Sequence, residues 1–475
     1  MRLTLWCGKA RLSCNGEARL NNSESRYSRR KFDPPMKKHK LLLWSLTVAL
    51  SGFLFGLDTA VISGAEQTIQ KVWNLSNFTH GLAVSMALYG TVLGAMFGGF
   101  FADKLGRKKS LFWIGALFLV SALGSALSQD IYVFMAFRLI GGLCIGASSV
   151  VSPLYISEIA PPARRGLLVA LFQFNIVFGI LIAYVSNYLL QSTNSPNDWR
   201  WMLGIVAIPS LIFTALTLLI SESPRWLALK RNDLAVARSV LAEIDPVSAD
   251  ATLASILASR DRAEASPSKA FFSAHYRWPI LLAFLLAFFN QLSGINAIIY
   301  YAPRIFEMTG LSKSSALFST AGIGLVNLVF TMLGLSLIDR FGRRVLMYIG
   351  SIGYIVSLGL IALAFYRNSF RGMTILVLAF IASHAVGQGA VIWVFIGEIF
   401  PNEVRAAGQS FGCFTHWTFA AIIANVFPAL AGRFGGAPIF AFFCGMMVLQ
   451  LLYVMFMMPE TKGIALEDMD TQLAQ

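Results

Sequence analysis

Twelve apolar stretches, each long enough to cross a bilayer as a helix, constrain this chain more than any other feature. A spanning helix needs about 20 mostly apolar residues. The stretches fall at 41–63, 81–102, 110–128, 132–154, 167–190, 201–220, 278–302, 315–338, 345–366, 374–397, 408–430 and 436–457. Within hydrocarbon each backbone N–H and C=O must find a partner inside the protein, and long apolar runs of this kind satisfy that as helices. The chain is therefore expected to be an all-α membrane protein with twelve transmembrane helices. Only 13% of its 475 residues are charged, about half the share of a soluble domain.

The net charge of +14 does not point to nucleic acid. Residues 1–40 hold eleven Lys/Arg against three Asp/Glu, a surplus of eight. Much of the remaining excess lies in short loops on one side: DKLGRKK (103–109), PPARRG (161–166) and DRFGRR (339–344). By the positive-inside rule these loops and both termini are cytoplasmic. The tail lacks periodicity up to Met36, so residues 1–35 are expected to be dispensable, and no signal peptide is evident. Of five cysteines, Cys144, Cys413 and Cys444 fall within helices and read as packing residues. Sequons at Asn74 and Asn77 lie in the first outer loop. Gly90, Gly94 and Gly98, spaced by four, read as a close-packing helix face.

The chain is written twice. Asp103 of DKLGRK answers Asp339 of DRFGRR at offset 236; Glu158 answers Glu398 at offset 240; Glu222 answers Glu460 at offset 238. Three motifs in one order at nearly one spacing imply two six-helix halves. Such halves form a substrate site between them near the midplane. The expected organisation is a basic tail (1–40), a first half (41–220), a polar linker with short cytoplasmic helices (221–277), a second half (278–457) and a C-terminal tail (458–475).

RLIGGLCIGASSVVSPLYISEIAPPARRG (138–166), SESPRWL (221–227), NQLSGINAIIYYAP (290–303), GEIFP (397–401) and PETKG (459–463) together resemble the sugar porter branch of the major facilitator superfamily. The likeness covers nearly all of residues 41–465 and is strongest to bacterial proton-coupled monosaccharide symporters of the xylose type. It implies the major facilitator fold, alternating access, and a monosaccharide and a proton as the transported partners.

A carboxylate inside a membrane helix costs roughly 2.5–3.5 kcal/mol on insertion scales, and Asp58 lies in the first run. Its repeat counterpart at offset 238 is Asn296; that of Arg138, at offset 240, is Leu378. The two charges are thus confined to one half and could pair there, either as a structural ion pair or as a protonatable switch. The resemblance favours the switch, because uniporting relatives commonly carry Asn at the position of Asp58.

Sugar hydroxyls call for amides, and the ring's C–H face calls for aromatics. Gln173, Gln291, Asn296, Asn327 and Trp393 match sugar-contacting positions of the family; Phe55, Tyr300, Gly389 and Trp417 are added by the same resemblance. Asn290 and His416 stand where relatives usually carry glutamine or another amide, which leaves the sugar open. The inner-face charges Asp103, Arg107, Lys108, Glu158, Arg165, Glu222, Arg225, Asp339, Arg343, Arg344, Glu398 and Arg405 read as a cytoplasmic gate or, alternatively, as topology signals.

No HExxH, GxxxxGK[ST] or CxxC motif occurs, so no enzyme, metal or cofactor is implied. The sequence reads as a multi-pass cell-membrane transporter, surrounded by lipid and functional as a monomer, that imports a monosaccharide by proton symport. A proton-independent facilitator and a non-transporting sensor are the alternatives; the short end after Pro459 does not favour the sensor.

Overall fold

The structure, a computed structural model, describes residues 38–191, 195, 197–265, 271–401 and 404–463; the expectations about residues 1–35 lie outside this range. Among the described residues, twelve helices are long and apolar enough to cross a membrane. Spans 1–6 are His39–Val72, Asn77–Leu105, Arg107–Leu127, Ile131–Ile159, Arg164–Leu190 and Asp198–Thr217. Spans 7–12 are Ala274–Glu307, Lys313–Phe341, Arg343–Tyr366, Met373–Glu398, Arg405–Phe434 and Gly436–Phe456. Every expected run lies largely within one of these, but span 1 continues to Val72 and span 7 to Glu307. Polar side chains set several starts. Ser76 Oγ accepts from Thr79 N at 3.2 Å. Asp130 Oδ1 accepts from Tyr132 N at 2.8 Å, and Ser312 Oγ accepts from Ser315 N at 3.3 Å. Each satisfies a backbone donor that the helix leaves open.

Within the first half, span 1 packs on span 5 and span 2 on span 4. The glycine face is the reason the second pair approaches closely. A Cβ on Gly90 would lie 2.2 Å from Leu139 O, and one on Gly94 2.2 Å from Leu143 O. The halves meet along span 2 against span 11 and span 5 against span 8. Three linker helices, Pro224–Leu229, Leu234–Ile244 and Ala249–Ala265, pack on one another and reach spans 1 and 4.

Hydrogen bonds between the halves gather at the end of the bundle opposite the DKLGRKK and DRFGRR loops. Asn425 Nδ2 donates to Tyr89 Oη at 3.2 Å, and Gln191 Nε2 donates to Ser314 Oγ at 3.1 Å. Tyr184 Oη donates to Ile299 O at 3.0 Å. Ile299 stands four residues before Pro303, whose missing N–H and bulky ring deny that carbonyl its helical partner. Within the second half, Tyr301 Oη likewise donates at 2.8 Å to Ala424 O, four residues before Pro428.

Spans 7 and 10 are broken, whereas their repeat counterparts, spans 1 and 4, are continuous helices. Span 7 stops at Leu292 and restarts at Ile295 through Gly294 at φ +82°. A side chain is disfavoured there by conformation, and a Cβ would also meet the Phe443 ring at 2.5 Å. A second irregularity follows at Tyr301, with φ −123° and ψ 18°. Span 10 breaks at Gly387, between helices Met373–Val386 and Gln388–Glu398.

Candidate substrate and coupling site

Span 1 carries Asp58 and span 4 carries Arg138, and close packing in the first half brings them together. Arg138 Nη1 donates to Asp58 Oδ1 at 2.8 Å, and Nη2 donates to the backbone oxygen of Asp58 at 3.3 Å. Both are buried, at 3% and 1% exposure, so the two charges must neutralise each other. Asp58 Oδ2 has no hydrogen-bond partner among the described residues. Tyr300, on span 7 of the other half, lies within electrostatic reach of both Asp58 and Arg138.

The broken region of span 7 carries a connected set of amides. Gln291 Nε2 donates to Asn290 Oδ1 at 2.8 Å. Asn296 Nδ2 donates to Gln291 Oε1 at 2.6 Å. Gln291 Nε2 also meets the His416 ring, 3.1 Å from Nδ1. Around them stands an aromatic group. The His416 ring centroid is 4.9 Å from that of Trp393 and 4.6 Å from that of Trp417, and Phe55 of span 1 lies 5.6 Å from Trp417. Amides beside aromatic faces at the junction of two halves are what a polyhydroxylated ring requires.

The remaining candidates lie on spans 5, 8 and 10. Asn327 is buried in span 8 and accepts from Thr331 Oγ1 at 3.3 Å. Gln173 is half-buried on span 5. Gly389 follows the break in span 10, where a Cβ would approach His384 O at 3.1 Å.

At the basic end each half builds its own cluster around one arginine. Arg107 donates through Nε and Nη2 to Glu158, both at 3.0 Å, and through Nη1 to Asp103 at 3.1 Å. Glu222 then accepts from the backbone N–H groups of Arg107 and Lys108, at 2.8 and 3.1 Å. A carboxylate at this helix start complements the dipole. Burial pushes the Glu222 carboxyl above its ordinary value, against the opposing effect of these backbone donors. Arg343 repeats the pattern with Glu398, at 2.9 and 2.6 Å, and with Asp339 at 3.0 Å. Glu460 accepts from Arg343 N and Arg344 N, at 2.9 and 3.0 Å. Gly106 and Gly342 make the preceding turns at φ +93° and +92°. A Cβ at either would fall within 2.5 Å of the capping glutamate.

None of these contacts joins one half to the other. The expected gate set thus divides in two. Lys108 Nζ bonds Leu218 O at 2.9 Å, Arg344 Nε bonds Val454 O at 3.1 Å, and Arg405 Nε bonds Phe400 O at 3.2 Å. Arg165 and Arg225 are exposed. Glu158 and Glu398 are held by Arg107 and Arg343, the arginines of the DKLGRK and DRFGRR motifs.

Two polar groups were not singled out from the sequence. One joins Tyr354, His384, Gln388 and Gln450 inside the second half, with Gln450 Nε2 donating to Ser351 Oγ at 2.8 Å. The other joins Glu66, Gln70 and His80 of the first half to Arg304 of the second. Its charges lie just past residues 63 and 302, where the expected runs end, and so resembled loop residues.

A family model described as sugar (and other) transporter matches residues 44–473. The arabinose-proton symporter of Bacillus subtilis is 37% identical over 448 residues, covering 92% of this chain and 96% of that protein. The D-xylose transporter of Levilactobacillus brevis is 36% identical over 433 residues, covering 90% and 94%. Among solved structures, a partially occluded inward-open conformation of the xylose transporter of E. coli matches with a TM-score of 0.80 at 31% identity. It covers 90% of this chain and all of that one.

Proposed function

The chain belongs to the sugar (and other) transporter family, and from that premise we propose that it imports a monosaccharide by proton symport through alternating access. The observation that carries the reading is the Asp58–Arg138 pair: a buried carboxylate with one oxygen on Arg138 and the other without a partner among the described residues. The second oxygen is a place for a proton. While Asp58 is ionised, Arg138 is held by it. Protonation removes most of that attraction, because a neutral acid leaves only a hydrogen bond. Arg138 is then released toward its surroundings, among them Tyr300 on the span that also bears Gln291 and Asn296. Proton binding on one half thereby bears on the sugar-contacting span of the other.

The basic end of the bundle is cytoplasmic by the distribution of Lys and Arg, in a cell membrane. The inter-half bonds then close the outer end, and the state described is one that faces inward. The sugar contacts assigned are Phe55, Gln173, Asn290, Gln291, Asn296, Tyr300, Asn327, Gly389, Trp393, His416 and Trp417. The test is uptake of a panel of labelled monosaccharides into vesicles reconstituted with the protein, with and without an imposed pH difference. Accumulation above equilibrium only when the outside is acidic supports symport. Equilibration with no accumulation under any gradient would establish a facilitator instead.

A further inference from the structure

Glu66 lies eight residues beyond Asp58 on span 1 and is fully buried. Arg304 grips it from the other half: Nε donates to Oε1 at 3.0 Å and Nη2 to Oε2 at 2.7 Å. Two parallel bonds make this the strong, geometrically specific form of an ion pair. Arg304 Nη2 also donates to Gln70 Oε1 at 2.6 Å. His80, from span 2 of the first half, places Nε2 2.9 Å from Glu66 Oε2. Arg304 itself is 22% exposed, so the pair closes the bundle just below its outer surface.

The position of Arg304 suits it to move. It directly follows Pro303, past the irregular Tyr301, on the part of span 7 already separated from Arg277–Leu292 by the break at Gly294. This short segment can swing with little disturbance to the remainder of its half. His80 belongs to the same half as Glu66 and stays beside it when Arg304 withdraws, so the acid is not left without a polar neighbour in the open state.

We propose that Glu66 and Arg304 are the outer latch of the transporter, a bidentate ion pair between the halves that forms when the outer end closes and breaks when it opens, with His80 keeping Glu66 partnered in between. The proposal deepens the alternating-access reading and rests on it, but its test needs neither sugar nor proton gradient. A failure of the latch is therefore distinguishable from a failure of symport.

Tyr132 and Tyr366 lie at the outer ends of spans 4 and 9, one in each half, at 74% and 79% exposure. Spin labels placed there, in the full chain with its five cysteines replaced by alanine, report the outer separation by pulsed electron resonance. The short distance should dominate in the parent. Glu66→Gln and Arg304→Gln should each raise the ratio of long to short distances roughly tenfold, and the double variant should go no further than either single one, since both remove the same bond. Arg304→Lys, with its charge kept and its fork lost, should fall between. Single variants with the parent's distribution, or a double variant whose shift is the sum of two independent ones, would overturn the latch. Arg304→Gln leaves Glu66 its contact with His80 and carries the test where Glu66→Gln does not insert.

Discussion

Asp58 and Asn296 occupy equivalent places in the two halves, and on the proposed reading the acid carries the transported proton where the amide of the other half only forms hydrogen bonds. Asn is already accepted at the repeat site, so Asp58→Asn should insert and fold. It keeps an acceptor for Arg138 Nη1 but leaves a buried charge uncompensated, a change expected to cost about 3–5 kcal/mol of stability. Proton-driven accumulation should vanish while sugar exchange across the membrane persists, because the amide resembles the protonated acid. Undiminished accumulation would leave Asp58 as a structural ion pair. Gln291 makes a different prediction. It bonds Asn290, Asn296 and His416 at once, so Gln291→Ala both removes a proposed sugar contact and leaves the remaining amides misdirected. Apparent affinity should weaken by about 1–3 kcal/mol, roughly five- to hundredfold; unchanged binding of every transported sugar would refute the placement. These residues were legible because each is a polar group in an apolar run. Glu66 and Arg304 are equally polar and were not, since each lies just past the end of its run, where charged and polar residues gather and hydropathy falls although the helix continues.

Elements were legible wherever a run was apolar throughout, and less so where tertiary contacts extend or interrupt them. Span 1 runs nine residues past its expected end at 63 because Glu66 and Gln70 find partners on the other half. The breaks in spans 7 and 10 leave no mark in the sequence pattern, because glycine is common in membrane helices and does not by itself announce a turn. The start of span 3 depends on a residue more than a hundred positions away: Glu222 caps Arg107 and Lys108. Its pH behaviour follows from burial. Glu222 is harder to ionise in the folded protein than in the unfolded one. Its protonated form therefore favours folding; that contribution is fully present below the unfolded value and is lost as pH rises through the folded one. Glu222→Gln removes this titration. The melting temperature of the parent should thus gain on that of Glu222→Gln as pH falls from 7 toward 4.5, the ordinary carboxyl value. A difference that stays constant, or shrinks, across that range would contradict the burial argument.

At the scale of the whole molecule, the repeat made the two halves legible, since one set of contacts around Arg107 recurs around Arg343 with matching partners. What the repeat does not contain is the angle between the halves. A carrier must adopt both inward- and outward-facing arrangements, so no single arrangement is favoured strongly enough to leave a mark in residue pattern. On the inward-facing reading, close approaches at the outer end accompany the state seen here. The tightest involves Gly81 of span 2, where a Cβ would stand 1.9 Å from Asn425 O of span 11. Backbone that near a neighbouring helix leaves no room for a side chain, and interiors packed to this density do not give way continuously. Gly81→Trp should therefore wedge the outer ends apart while leaving the spans, the inner clusters and the amide group intact. The variant is expected to bind labelled sugar from the outside and to lose both net uptake and exchange, because either process requires the outer end to close. Binding from the outside together with uptake at the parent's rate would mean that closure does not pass through the span 2–span 11 contact, and that the inward-facing state is held elsewhere.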